Sequence, residues 1–388
     1  MPDDAHELET DAYTINSWDE LSINPLLLRG IYAYGFENPS PIQKKSIVPI
    51  LKGKDVIAQA QSGTGKTACF AISSIELVNT SLKNTQAIIM SPTRELSAQI
   101  KSVVDALAIN ISSFKSQLLV GGTDLDNDII NLKDNQPHVI IGCPGRIYDI
   151  LRRKYINLEL VKLLILDEAD EMLSTGFKEQ VYNIFNLLPS NIQKALFSAS
   201  MPNTIDDLIN KFVTDPIKIV VKSEQLTLDG IKQYFVNLEN DTMKYETLKD
   251  LFSTFSVSQC IIYCNSVTRV SELYDAMNSD GYPVCQIHSS LDKMTRQQNY
   301  DDFRRGKFRV LISSNVTARG IDIQQVSTVI NFDVPKCIHS YLHRIGRSGR
   351  WGRKGVAINF ITRRDYKQLK EIESFYQTNI AELPEDYK

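Results

Sequence analysis

Short, mostly apolar runs recur along the chain with amphipathic stretches between them, and this alternation leaves few folds open. The runs occupy 55–59, 87–91, 117–121, 138–142, 163–167, 195–198 and 217–221; they resume at 259–263, 284–287, 309–313, 328–331 and 356–361. Helical patterns lie among them, for example at 24–34, 95–108 and 178–188. Continuous apolar strands alternating with helices imply an α/β fold, a parallel sheet covered on both faces. At 388 residues the chain is long enough for two such domains. The polar stretch 222–230, ending in Gly230, reads as a short linker. The predicted organisation is therefore an extension over 1–16, a first domain over 17–221, the linker, and a second domain over 231–388.

Composition narrows the class of protein. No apolar run reaches the length of a membrane span, and Met1-Pro-Asp-Asp-Ala-His-Glu lacks the apolar core of a signal peptide. Six cysteines are scattered without a CxxC pair, which predicts reduced core thiols in a reducing compartment, cytosol or nucleus. A net charge of −3 does not announce a polyanion partner, so any nucleic-acid site must be local. One candidate is 343–354, with five Lys/Arg and no acid.

Two segments carry phosphate chemistry. Ala60-Gln-Ser-Gly-Thr-Gly-Lys-Thr67 follows a predicted strand and opens a predicted helix, matching GxxxxGKT except at Ala60. Ser62, Gly63, Thr64 and Gly65 would bring backbone N–H groups close to phosphate. Lys66 would reach the outer phosphates, and the Thr67 hydroxyl would ligate Mg²⁺. The strand ending in Asp167-Glu-Ala-Asp170 supplies carboxylates where open α/β sheets bind ligands. Asp167 is placed to hold Mg²⁺ and Glu168 to orient the attacking water, while Asp170 links to a neighbouring segment. The ligands implied are a nucleotide and Mg²⁺.

Together these segments resemble the DEAD-box family of ATP-dependent RNA helicases, and the resemblance runs over nearly the whole chain. Gly35-Phe-Glu-Asn-Pro-Ser-Pro-Ile-Gln43 is similar to the family's Q motif, which makes Phe36 and Gln43 the expected adenine contacts. Pro92, Thr93 and Arg94, then Gly122, then Pro144, Gly145 and Arg146 match RNA-contacting motifs of the first domain. Ser198 and Ser200 fall in the motif that couples hydrolysis to unwinding. In the second domain the resemblance assigns Asn265, Arg296 and Ser314 to RNA, and Gly320 and Asp322 to the nucleotide. It makes Arg347 and Arg350 the arginine fingers.

The resemblance implies two tandem RecA-like domains, ATP as the nucleotide, and RNA-stimulated ATP hydrolysis with local duplex unwinding. Within the family the chain looks most like the translation initiation factor 4A group. Arg29-Gly-Ile-Tyr-Ala-Tyr-Gly-Phe and Leu226-Thr-Leu-Asp-Gly-Ile-Lys-Gln carry that likeness. It implies messenger RNA as substrate, a scaffold protein of the initiation factor 4G type, a monomer, and the cytoplasm, with a nuclear RNA-bound role as the alternative. A slow-hydrolysing RNA clamp would use the same motifs. The chain departs from the family at Cys143 and Ser200 (both usually Thr), Asn315 (Asp) and Lys293 (Gln), which bears on RNA affinity and coupling.

Overall fold

The computed structural model describes residues 13–60, 63–173, 176–199, 212–220, 231–254, 258–314, 326–346 and 355–384. The chain divides into two compact units, Met1–Leu226 and Thr227–Lys388. The predicted linker lies outside the described residues.

Unit 1 holds strands β1 (Val56–Gln59), β2 (Ala87–Met90), β3 (Ser116–Leu119), β4 (Val139–Gly142), β5 (Leu163–Asp167), β6 (Gln193–Ser198) and β7 (Ile217–Val220). They form one seven-stranded sheet in the order β3-β4-β2-β5-β6-β1-β7, and every described pairing is parallel. Strand pleating divides its side chains between two cores. Ala87 and Ile89 join one, Ile88 and Met90 the other. Each fully buried aliphatic side chain contributes roughly 1.5–3 kcal/mol of transfer free energy. The extended segment before the first helix belongs to this unit, because Ile15 is buried and its N–H donates to Lys44 O at 3.1 Å.

Unit 2 repeats the architecture with β8 (Ile231–Asn237), β9 (Cys260–Tyr263), β10 (Val284–Ile287), β11 (Val310–Ser313), β12 (Thr328–Asn331), β13 (Gly355–Ile361) and β14 (Ala381–Glu382). Their order is β10-β11-β9-β12-β13-β8-β14, again with parallel pairings. Two strands escaped the sequence reading. β8 lies next to the short edge strand β14, is only partly buried, and reads as a mixed polar segment rather than an apolar run. β14 is two exposed residues.

The cysteine expectation needs correction. All six are free, but Cys143 is half-buried and Cys337 exposed, because each caps a helix start rather than lying inside a strand or helix. Among the described residues no helix is long and apolar enough to cross a membrane.

One glycine is fixed by packing. Gly30 sits inside the helix Pro25–Ala33, and a Cβ there would lie 2.0 Å from Leu107 O, at the end of the helix Arg94–Leu107. Gly30→Ala is expected to destabilise the protein by about 1–3 kcal/mol, the range for overpacking. The check is a shift of the urea unfolding midpoint at unchanged slope.

Candidate functional site

Because unit 1 is all parallel, every strand ends on the same edge of its sheet, and the candidate residues sit where those ends emerge. The nucleotide segments follow β1 and β5, which flank β6 in the order β5-β6-β1. Two strand spacings, roughly 10 Å, separate the two ends. The segments that resemble RNA-contacting motifs follow β2, β3 and β4, which are adjacent in the order β3-β4-β2. One edge therefore carries two neighbouring chemistries.

At the phosphate loop, Gly63 (φ 86°) and Gly65 (φ 96°) adopt left-handed backbone that a side chain would strain. The helix Lys66–Leu77 begins directly after Gly65. Lys66 is 6% exposed, and its Nζ finds no hydrogen-bond partner among the described residues. Thr67 is half-buried. Ser62 lies outside the described residues.

Gln43 bridges the loop to the segment before it. Its Oε1 accepts from Ser40 N at 2.7 Å, and its Nε2 donates to Gly65 O at 3.1 Å. The Ser40 hydroxyl donates to Thr64 O at 2.7 Å. The first of these belongs to a capping box at the helix Pro41–Leu51. A Gln amide offers two donors and two lone pairs, so one of each remains for a base edge. Phe36 is half-buried, with Tyr34 at 4.8 Å and Trp18 at 6.4 Å between ring centroids.

Asp167 closes β5 and is 3% exposed. Burial pushes its carboxyl up to about 7, with Lys66 pulling it down and Glu168 and Asp170 adding to the rise. Its Oδ1 accepts from Glu168 N at 3.0 Å. Glu168 has φ 53°, a left-handed conformation that costs a non-glycine residue on the order of 1–3 kcal/mol. Asp170 is buried on the short helix Ala169–Leu173. Ser198 ends β6 between the two nucleotide segments, and Ala60 N donates to Ser198 O at 3.0 Å. Ser200 lies outside the described residues.

The other half of the edge is built from caps and glycines. Thr93 caps the helix Arg94–Leu107, accepting from Leu96 N at 3.2 Å; Pro92 beside it is buried. The Arg94 guanidinium lies against Gly121 and Gly122, close enough that a Cβ on Gly122 would be 2.7 Å from Nη1. Pro144 and Gly145 open the helix Pro144–Arg152. Its cap, Cys143, is 3.6 Å from Ser97 Oγ, where a hydroxyl was the family's usual group. Arg146 is braced: it is ion-paired with Asp128 and donates to Thr123 Oγ1 at 3.1 Å and Thr123 O at 2.8 Å. Asp128 and Thr123 escaped the sequence reading, since neither lies in a recognisable motif.

In unit 2, Asn265 follows β9 and Ser314 follows β11, with Ser314 N donating to Ile287 O at 3.4 Å. Arg296 lies on the helix Lys293–Arg304 beside His288. Burial, and then the Arg296 charge, hold that imidazole below its ordinary range. Gly320, Asp322, Arg347, Arg350 and Asn315 lie outside the described residues, as does the side chain of Lys293.

A residue not singled out from sequence organises this edge. Arg344 is fully buried and donates to Asn265 Oδ1 (2.7 Å), Asp333 O (2.7 Å) and Asn331 Oδ1 (3.2 Å), over the Tyr263 ring. Burial pulls it down to about 10, still cationic at neutral pH. Asn265 is held further by its N–H on Asp333 Oδ2 (3.0 Å) and its Nδ2 on Val334 O (2.7 Å). Asp333 also pairs with Lys244 at 3.2 Å and Arg269 at 3.0 Å, both over the Phe332 ring. Arg344 lies on the helix Ile338–Ile345, so one guanidinium ties the Asn265 loop to the helix that leads towards Arg347.

The chain matches the DEAD/DEAH box helicase model over residues 40–208 and the helicase conserved C-terminal domain model over 243–352. With the geometry above, it belongs to the DEAD-box family of ATP-dependent RNA helicases. Among curated relatives it is 48% identical to ATP-dependent RNA helicase eIF4A of Neurospora crassa over 371 residues, covering 96% of this chain and 93% of that protein. It is 48% identical to the Saccharomyces cerevisiae eIF4A over 372 residues, with the same coverage. Among solved structures it is similar to S. cerevisiae Dbp5 bound to RNA and ADP BeF3, with TM-score 0.89, 35% identity and 96% of each chain covered.

Replacing Arg344 by Lys keeps the charge but cannot span three acceptors. The expected cost is about 2–4 kcal/mol, from hydrogen bonds of a charged donor. Calorimetry should show a lowered transition for unit 2 and an unchanged one for unit 1.

Proposed function

We propose that this DEAD-box helicase hydrolyses ATP when single-stranded RNA is bound and locally unwinds RNA duplexes on messenger RNA during translation initiation. The observation that carries the reading is the division of one sheet edge: a buried Lys66, without a hydrogen-bond partner among the described residues, near Asp167 on one half, and Arg94 over the Gly121-Gly122 turn on the other. The first half suits an anion with a divalent cation, the second a sugar–phosphate strand.

In this reading Gln43 and Phe36 select the base, and Ser62 to Gly65 wrap the phosphates with backbone N–H groups. Lys66 neutralises the outer phosphates. The donor set fits Mg²⁺, a hydroxyl (Thr67) and a carboxylate (Asp167) beside phosphate oxygens, all hard oxygen ligands. Mg²⁺ when bound supplies charge neutralisation and keeps Asp167 ionised despite its burial. Glu168 then orients and deprotonates the attacking water. Arg347 and Arg350 stabilise charge on the transferring phosphoryl, and Gly320 and Asp322 contact the nucleotide. Ser198, Ser200 and Asp170 transmit the nucleotide state to the RNA half.

On the RNA side, Pro92, Thr93, Arg94, Gly122, Pro144 and Gly145 present backbone and cationic contacts. Asn265, Arg296 and Ser314 do so from unit 2. Arg146 acts through its brace to Asp128 and Thr123, holding the turn after β3 in place. Contacts to sugar and phosphate make binding tolerant of sequence, and the 2′-OH favours RNA over DNA. The proposal extends to a monomer working in the cytoplasm with a scaffold of the initiation factor 4G type, which is what the resemblance of the sequence to the initiation factor 4A group implies.

The deciding experiment is steady-state ATP hydrolysis with and without single-stranded RNA. Glu168→Gln should lower the stimulated rate by about 10²–10⁴-fold while nucleotide still binds. Unchanged hydrolysis would remove Glu168 from the chemistry, and RNA binding without turnover in the unmodified protein would favour a clamp. Arg347→Ala should cost on the order of 10³ in stimulated rate with little change in ATP affinity to unit 1; a rate near that of the unmodified protein sinks the finger assignment.

A further inference from the structure

Unit 2 carries a basic concavity that neither the nucleotide segments nor the assigned RNA residues use. It has a volume of about 990 Å³ and is lined by Arg363, Tyr366, Lys367 and Lys370, with Glu239 as its one acid. Arg363 and the adjoining Arg364 are exposed, and neither has an ion-pair partner among the described residues. Lys367 is 90% exposed and comes only within 4.0 Å of Glu371. Lys370 pairs with Glu373 at 2.6 Å and holds its ammonium 5.5 Å over the Tyr366 ring. Tyr366 itself is 51% exposed.

Exposed lysines on a helix are ordinarily just a solvated face. Here they surround a concavity and an exposed aromatic ring, the combination of cations and stacking surface that single-stranded nucleic acid uses. The position is also informative. Asn237 ends β8, and Arg363 comes two residues after β13, so the concavity opens on the strand-end edge that carries Asn265 and Ser314. From β9 to β8 there are three strand steps in the order β9-β12-β13-β8, roughly 14 Å.

We propose that this concavity is an accessory RNA site, taking the single strand beyond the residues of unit 2 assigned to RNA, with a base stacked on Tyr366 and phosphates against Arg363 and Lys367. It rests on the reading that Asn265 and Ser314 face RNA. Its effect is to lengthen the RNA footprint of unit 2 without entering the hydrolytic step.

The test uses the full chain with a non-hydrolysable ATP analogue and fluorescent unstructured RNA of 10 or 30 nucleotides, titrated across salt concentrations. For Arg363→Ala/Lys367→Ala, two lost phosphate contacts should flatten the salt slope on the long RNA by about 1.4 and weaken it about tenfold. Binding of the short RNA, and the ATP hydrolysis it stimulates, should not change. Tyr366→Ala should weaken the long RNA by about tenfold, and Tyr366→Phe should restore it, since stacking needs the ring and not the hydroxyl. An unchanged long-RNA slope overturns the proposal and leaves an acidic peptide as the class of partner. Equal losses on both lengths overturn it too, because the residues would then serve the primary RNA residues or the fold. Failure of the unmodified protein to bind even the short RNA would instead strike at the underlying RNA reading.

Discussion

Everything functional in unit 1 depends on the parallel pairing of its sheet. Parallel strands need crossover helices, so each strand end on one edge runs into a loop and then a helix start. Helix starts present free N–H groups and a positive field, which suits phosphate whether it belongs to a nucleotide or to RNA. The caps follow from this: Gly65, Thr93 and Cys143 all occupy such starts, after β1, β2 and β4. The same local physics thus builds both halves, and strand order decides which loops become neighbours. Ser198 stands between the phosphate loop and Asp167 only because β6 was inserted between β1 and β5.

The buried charges of the two units follow opposite strategies. Burying an ion is costly unless it is paired and hydrogen-bonded. Arg344 meets that condition within the protein, with three oxygens and an aromatic face. Lys66 does not: its ammonium is buried with no hydrogen-bond partner among the described residues, and Asp167 nearby is pushed towards its neutral form. A rigid, satisfied site would have little to gain from a ligand. A site with a buried cation and a carboxylate that burial pushes towards its neutral form gains from a phosphate and a divalent cation together, because each resolves the other's desolvation. Glu168, held at φ 53°, adds backbone strain in the same place.

Much of this was legible from sequence, for a physical reason. Strands buried on both faces must be apolar throughout, so β2, β4, β5, β9 and β11 stand out as runs. β8 is half-exposed and carries Lys232, Gln233 and Asn237, and no run marks it. The phosphate loop and the acidic strand end were readable because their chemistry is local: consecutive residues, one loop, one ligand. Thr123, Asp128, Asp333 and Arg344 were not, because their partners are brought together by topology alone. Arg146 binds Asp128 across 18 residues, and Arg344 binds Asn265 across 79.

That distinction changes what the family motifs mean. Arg146 looks from sequence like a free cation awaiting phosphate, yet its guanidinium is committed to Asp128 and to Thr123. Asn265 looks like a free amide, yet both its oxygen and its nitrogen are engaged. What the structure gives these side chains is the task of fixing the shape of the backbone around them. Cys143 belongs to the same group. A thiol is a weaker donor and acceptor than a hydroxyl, and its 3.6 Å contact with Ser97 leaves the Ser91–Ser97 hydroxyl pair, at 2.6 Å, as the firmer anchor beneath the RNA half. The framework that positions the helix start is therefore held by Ser91 and Ser97, residues the motif does not contain, rather than by Cys143.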